Sequence, residues 1–284
     1  MTKVKNNKVA LMYDFDLTLS LSYMQEFTLL PSLDYSSADF WTVCGDYCLA
    51  HNMDKMLSYM YAILSLSKQK NIPINYAEMK KQGEKITFFQ GVETWFDRIN
   101  EYGKSLGLQV EHYIISSGLK ELIEGTSIAK YFKRIFACSF AYDENNNAFW
   151  PSQIVNYTTK TQYIYRIRKN FIDKLYDDKE VNLFLDDDQK LPYEHMIYFG
   201  DGETDIACMQ LISDKGGNSI CVYSPENENC RTTAYKLFDE KRANFVAKAD
   251  YRAGERLDII VKTLLNNIST KLQLKELKTD KNGN

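Results

Sequence analysis

Two aspartates one residue apart, Asp14 and Asp16, follow directly on the apolar run Val9 to Tyr13, and Thr18 comes two residues later. The run reads as a short buried strand, so the chain leaves the interior where the acids arrive. Carboxylates at the carboxyl end of a strand have a rigid support and face the crevice where ligands of open α/β sheets collect. Acids this close repel each other unless a cation or a shared proton compensates. The pair therefore implies a metal, a proton relay or both. The plainer alternative is a strand followed by a turn, its carboxylates accepting backbone N–H groups.

Other residues of the same kind stand at the ends of further predicted strands. Gln109 to Ile115 is apolar and runs into Ser116-Ser117-Gly118, after which Leu119 to Glu124 starts a helix. His195 to Phe199 runs into Gly200-Asp201, with Asp205 four residues on, and Lys160 stands near the start of a basic helix expected over 158–175. Taken singly, Ser116 is an ordinary turn serine, Lys160 a surface lysine and Asp201 a turn residue. On that helix Arg166, Arg168, Lys169 and Lys174 read as a solvated face. So does the acidic run Asp186-Asp187-Asp188, which is left out of the site.

The elements that carry these residues alternate. Arg134 to Phe140, Asn218 to Tyr223 and Ala243 to Ala247 add strands, with a hairpin at Ala141 to Trp150. Strands alternating with helices imply parallel pairing through right-handed crossovers, hence an α/β, doubly wound, Rossmann-like sheet. From 21 to 90 the texture is helical instead. One amphipathic helix is expected from Trp41 to Met60, and another from Tyr76 to Ile86 after the break at Asn71-Ile72-Pro73. The tail from Lys271 is polar and is expected to fray.

With 284 residues the chain can bury a core domain carrying an insertion. Hydrophobic residues at 44% and charged residues at 26% exclude a disordered or fibrous class. A net charge of −3 leaves no electrostatic footprint for nucleic acid or an anionic membrane. The six cysteines include no Cys-x-x-Cys pair and there are three histidines, which does not build a zinc site. No apolar run is long enough for a signal peptide or a bilayer span, so a cytoplasmic protein with reduced thiols is expected.

Four of these features, in order, resemble the motifs of the haloacid dehalogenase superfamily of phosphohydrolases. Asp14-x-Asp16-x-Thr18 is similar to the first, Ser116 to the second, Lys160 to the third and Gly200-Asp201-x-x-x-Asp205 to the fourth. The resemblance implies a magnesium-dependent phosphatase acting on a phosphate monoester. Asp14 would be the nucleophile that forms an aspartyl-phosphate, and Asp16 the general acid and then base. Asp14, Asp16 (through its carbonyl), Asp201 and Asp205 would hold Mg2+, as an all-oxygen acidic site favours. Lys160 would keep Asp14 ionised and hold phosphate, helped by Ser116, Ser117 and Thr18 and by N–H groups around Phe15 and Leu17. A second acid at Asp16 separates the chain from the dehalogenase members.

The same resemblance makes 1–20 and 91–284 the core and 21–90 a helical cap that closes over the site and reads a small-metabolite leaving group, with hinges near Ser20 and Gly91. The phosphoserine-phosphatase-like members are the most similar, yet 19–97 contains no arginine to clamp a substrate carboxylate. Tyr23, Phe27, Tyr35, Trp41, Tyr59 and Tyr61 would line a pocket or pack a core. Two alternatives remain: a phosphotransferase or mutase on the same scaffold, and a phosphate-binding regulatory protein with poor turnover.

Overall fold

The computed structural model describes residues 7–186 and 190–279. Seven strands form one sheet: β1 (Lys8–Tyr13), β2 (Gln109–Leu119), β3 (Phe132–Tyr142), β4 (Ala148–Gln153), β5 (Met196–Gly200), β6 (Asn218–Tyr223) and β7 (Phe245–Lys248). Their spatial order is β4-β3-β2-β1-β5-β6-β7. All neighbours run parallel except the β3–β4 hairpin. Every residue of β5 is buried, as is β1 from Val9 on. Side chains of a strand alternate between faces, so both faces of the sheet are covered there.

Five helices lie between β1 and the return to the sheet: α1 (Met24–Phe27), α2 (Leu29–Ser32), α3 (Ser37–His51), α4 (Lys55–Lys70) and α5 (Tyr76–Gly83). The single helix expected over Trp41 to Met60 is two. Asn52 adopts the left-handed conformation (φ 48°) as the C-cap of α3, and Asp54 then caps α4 by accepting from the N–H groups of Met56 and Leu57. The two connections to the insertion run side by side. Leu21 N–H donates to Thr87 O and Phe89 N–H to Leu19 O, 3.1 and 3.0 Å.

The remaining helices are α6 (Val92–Ser105), α7 (Lys120–Glu124), α8 (Lys160–Lys169), α9 (Lys179–Asn182), α10 (Ile206–Asp214), α11 (Glu228–Asp239) and α12 (Arg256–Thr279). α6 packs on β2 and against α12, while α10 packs on β5, β6 and α8. α5 is pressed onto α7 backbone to backbone. A Cβ on Gly125 would stand 1.7 Å from the Lys80 carbonyl oxygen, so only glycine permits this approach. With Tyr76 donating to Glu124 at 2.8 Å, the last helix of the insertion is locked to the sheet domain.

Two expectations are corrected. α8 ends at Lys169, and the chain folds back so that Arg166 is 1% exposed rather than solvated. Its guanidinium donates to Asp178 and to the carbonyls of Lys174 and Leu175, polar partners that make burial tolerable. The tail does not fray at Lys271, because α12 continues to Thr279 and buries Ile268 and Ser269 one turn earlier. Residues Asp187, Asp188 and 280–284 lie outside the described residues. Among the described residues no helix is long and apolar enough to cross a membrane.

Candidate active site

Strands β1 and β5 are neighbours, and β1 is where the sheet's connections change direction, the place at which open α/β sheets gather ligands. Tyr13 pairs with Phe199, and the Asp14 N–H donates to the Phe199 carbonyl at 2.9 Å. Asp14 and Asp201 therefore leave the sheet side by side. Ser116 reaches the same edge from β2, two residues beyond the Ile114 that pairs with Tyr13.

Lys160 joins them from the first turn of α8, fully buried. Its Nζ stands 3.1 Å from Asp14 Oδ2 and 2.7 Å from Asp205 Oδ1. Burial alone would push the ammonium toward neutrality, but the charges of Asp14 and Asp205 outweigh it and raise its pKa above the usual lysine range. The surface-lysine alternative is thereby excluded. Asx geometry sets the approach: Asn156 Oδ1 accepts from the Thr159 N–H, and the Asn156 carbonyl accepts from the Lys160 N–H, both at 3.0 Å.

Asp205 takes a second bond on the same oxygen, from the phenol of fully buried Tyr198 at 2.7 Å. Gly200 makes room for it. A Cβ there would lie 2.4 Å from the Asp205 carboxyl carbon, so any side chain at 200 would drive that carboxylate from its place. Tyr198 escaped the sequence reading because it counted only as one more apolar residue in a strand. The alternation that puts it on the same face as Gly200 was the available signal.

One oxygen from each of Asp14, Asp201 and Asp205 can be chosen so that all three lie within 4.8 Å of one another. Lys160 serves the first and third, whereas Asp201 forms no ion pair among the described residues. Burial first, then the charges of Asp205 and Asp14, holds its carboxyl well above the ordinary range. Three hard oxygens with too little positive charge among them fit a small divalent cation, and no histidine or thiol joins the set. The side chain of Asp16 is not in this group. Its Oδ1 accepts from the Met24 N–H at 2.9 Å and from the Ser20 hydroxyl at 3.4 Å.

The two acids of the first motif differ. Asp14 is raised to about 6, by burial first and then by Asp205, with Lys160 and the Phe15 N–H pulling it back. Asp16 is raised to about 8, by burial and by the charge of Asp14. The turn that holds them is strained, with Leu17 at φ 58°. The Phe15 N–H donates to Asp14 Oδ1 at 2.7 Å. Ser116 Oγ accepts from the Gly118 N–H at 3.0 Å and keeps its own proton to donate. Among the described residues the buried hydroxyls of Ser117 and Thr18 have no partner, and the Thr18 carbonyl is anchored by Tyr251 at 2.7 Å.

Residues of the inserted helices reach this edge directly. The Tyr59 phenol donates to the Ser117 carbonyl at 2.9 Å, and the Leu119 N–H points at Met24 Sδ, 3.1 Å away. Tyr35 and Tyr61 lie elsewhere, the first under Lys70 and the second against Tyr47.

No protein-family model matches the sequence. An uncharacterised protein of Borreliella burgdorferi is 28% identical over 280 residues, spanning 89% of this chain and 95% of its own. Among solved structures, a HAD-family hydrolase from Salmonella enterica serovar Typhi superposes with a TM-score of 0.57 at 14% identity, over 92% of this chain and 72% of that one. A substrate-bound phosphoserine phosphatase gives 0.52 at 14% identity, over 90% and 98%. The superpositions show that the chain has the fold of the HAD-superfamily hydrolases, in its phosphoserine-phosphatase-like form.

Proposed function

We propose that this chain is a magnesium-dependent phosphatase that hydrolyses a small phosphate monoester through an aspartyl-phosphate on Asp14. The observation that carries the reading is the buried Lys160 gripped by Asp14 and Asp205 at the sheet's ligand-binding edge. A lysine removed from water and neutralised on one side by a nucleophile suits transfer of a dianionic group, whose oxygens must be met by fixed positive charge.

Asp14, Asp201 and Asp205 would hold the cation, which supplies charge neutralisation for the phosphate oxygens and aligns them with the nucleophile. The chain's own groups perform the proton work. A carboxyl raised to about 6 leaves Asp14 mainly ionised at neutral pH, able to attack phosphorus, while one raised to about 8 leaves Asp16 mainly protonated. As the bond from Asp14 oxygen to phosphorus forms and the ester bond breaks, the Asp16 proton passes to the departing alkoxide. Asp16, now ionised, takes a proton from water, whose oxygen displaces Asp14 and frees inorganic phosphate. Ser116 donates to a phosphate oxygen throughout.

In the same reading 1–20 and 91–284 form the core and 21–90 the cap. With α5 held against α7, an opening would involve α1–α4 alone, pivoting at the Leu21 connection and at the Asn71-Ile72-Pro73 link that precedes α5. The test is phosphate release from an aryl phosphate, with and without magnesium, by the native protein and by Asp14→Asn. Magnesium-dependent release lost in the variant is expected. Release that survives Asp14→Asn would refute the nucleophile.

A further inference from the structure

The wall of the cap that faces the site is aromatic and anionic. Tyr23, Trp41 and Tyr59 meet edge to face, with ring centroids 6.0 Å apart for the first pair and 6.2 Å for the second. The Tyr59 end of this row touches the catalytic edge. Tyr59 donates to Ser117 and its phenol also feels the charge of Asp16. Tyr23, half-exposed, is raised to about 12 by burial first and then by Asp201, Asp16 and Glu26. Glu26 follows Tyr23 by three residues, and the Ser37 that donates to it precedes Trp41 by four on α3, which brings this carboxylate beside the ring pair.

Glu26 is the carboxylate that catalysis leaves unused. It is half-buried, and hydroxyls hold both of its oxygens: Ser22 donates to Oε2 and Ser37 to Oε1, the latter at 2.7 Å. Hydroxyl donors orient a carboxylate without cancelling its charge. Among the described residues Glu26 forms no ion pair, and no lysine or arginine stands over Tyr23, Trp41 or Tyr59. The cap's own cation–π contact, Lys70 on Tyr35, lies elsewhere, and Lys70 is also paired with Asp34. There is no arginine between Leu19 and Asp97.

A π-face row with an orientated, unneutralised carboxylate attracts ammonium groups, while the same surroundings repel a second anion. We infer that the leaving group is an ammonium-bearing alcohol without a carboxylate, its cation seated between the Tyr23–Trp41 rings and Glu26. The inference rests on the phosphatase reading and names its substrate class.

The experiment compares kcat/KM, in the native protein, for phosphoethanolamine and phosphocholine with their neutral carbon isosteres, propyl phosphate and the tert-butyl analogue of phosphocholine. Phosphoserine and an aryl phosphate complete the series. A preference of about ten-fold or more for the ammonium esters is expected, falling toward one in Glu26→Gln and in Tyr23→Ala. A bare carbon isostere turned over equally well, or phosphoserine turned over better, overturns the inference while aryl phosphate turnover keeps the phosphatase reading. If nothing is hydrolysed that reading fails. Calorimetric binding of the same pairs to the native protein then decides the inference alone, and equal affinity for charged and neutral esters overturns it.

Discussion

The phenol of Tyr198 donates to Asp205 Oδ1 at 2.7 Å, on the same oxygen that Lys160 approaches from α8. The two donors hold Asp205 from the sheet and from a helix, and its Oδ2 accepts from the Thr204 hydroxyl at 3.4 Å. Tyr198→Phe keeps the ring and removes only the bond. Loss of a hydrogen bond to a buried charged group should cost about 1.5–3 kcal/mol in urea denaturation. Because the bond orientates a carboxylate proposed to hold the cation, magnesium affinity by calorimetry should fall roughly ten-fold or more. An unchanged affinity would show that Lys160 alone fixes Asp205.

Lys160→Met tests the central cation. Removing one partner of a buried charge cluster leaves the other charges uncompensated, which costs about 3–5 kcal/mol. The penalty should depend on pH in a definite direction. Without the lysine, Asp14 loses the charge that pulls its pKa down to about 6, so the folded variant takes up that proton at higher pH than the native protein does. Its stability deficit against the native protein should be largest at alkaline pH and shrink as pH falls toward about 6, where Asp14 of the native protein is protonated as well. A deficit independent of pH would place the lysine's contribution in packing.

Much of this arrangement was readable before any coordinates, for a physical reason. A strand segment buried on both faces must be apolar, so β1 from Val9 and β5 appeared as uninterrupted runs, β2 over Tyr113 to Ile115 and β6 over Ile220 to Tyr223, and polar residues beyond the runs of β1, β2 and β5 marked the ligand edge. Lys160 was legible through its order in the chain, since nothing local distinguishes a buried lysine from a surface one. What stayed hidden depends on contacts distant in sequence. Tyr198 looks apolar until Asp205 faces it, Arg166 looks solvated until the chain returns over it, and the α5–α7 lock depends on Gly125 meeting Lys80. The break at Asn52 was visible as Asn-Met-Asp, a left-handed C-cap followed by an N-cap, but apolar periodicity ran across it.

Gly200→Ala probes the space that Asp205 occupies. The new methyl would start 2.4 Å from a carboxyl carbon held by two donors, so the carboxylate must move. Overpacking should cost about 1–3 kcal/mol, a modest loss against the stability of the whole sheet. Phosphate release and magnesium binding should fall far more, by roughly 100-fold, while circular dichroism stays native. Native-like binding in a folded Gly200→Ala protein would mean that the Asp205 position is not needed for the cation.

His112 predicts a pH dependence outside the site. It lies on β2, paired with Leu11 of β1, in a buried relay: Trp95 donates to the Tyr13 hydroxyl at 3.0 Å, Tyr13 donates to His112 Nδ1 at 3.1 Å, and Nε2 donates to Asn100 Oδ1 at 3.1 Å. Burial lowers its pKa from 6.5 to about 3, so the folded imidazole stays neutral. Below pH 6.5 the unfolded chain takes up a proton that the folded state refuses, and stability falls with acid by up to ~1.4 kcal/mol per pH unit from this group. The loss runs down to about pH 3. Asp14 and Asp16, raised in the folded state, have the opposite sign, so the group is isolated by difference. His112→Gln supplies an acceptor and a donor but does not titrate. Between pH 6 and 4 its unfolding free energy should depend on pH with a slope smaller by about one proton than that of the native protein, and identical slopes would place the proton uptake elsewhere.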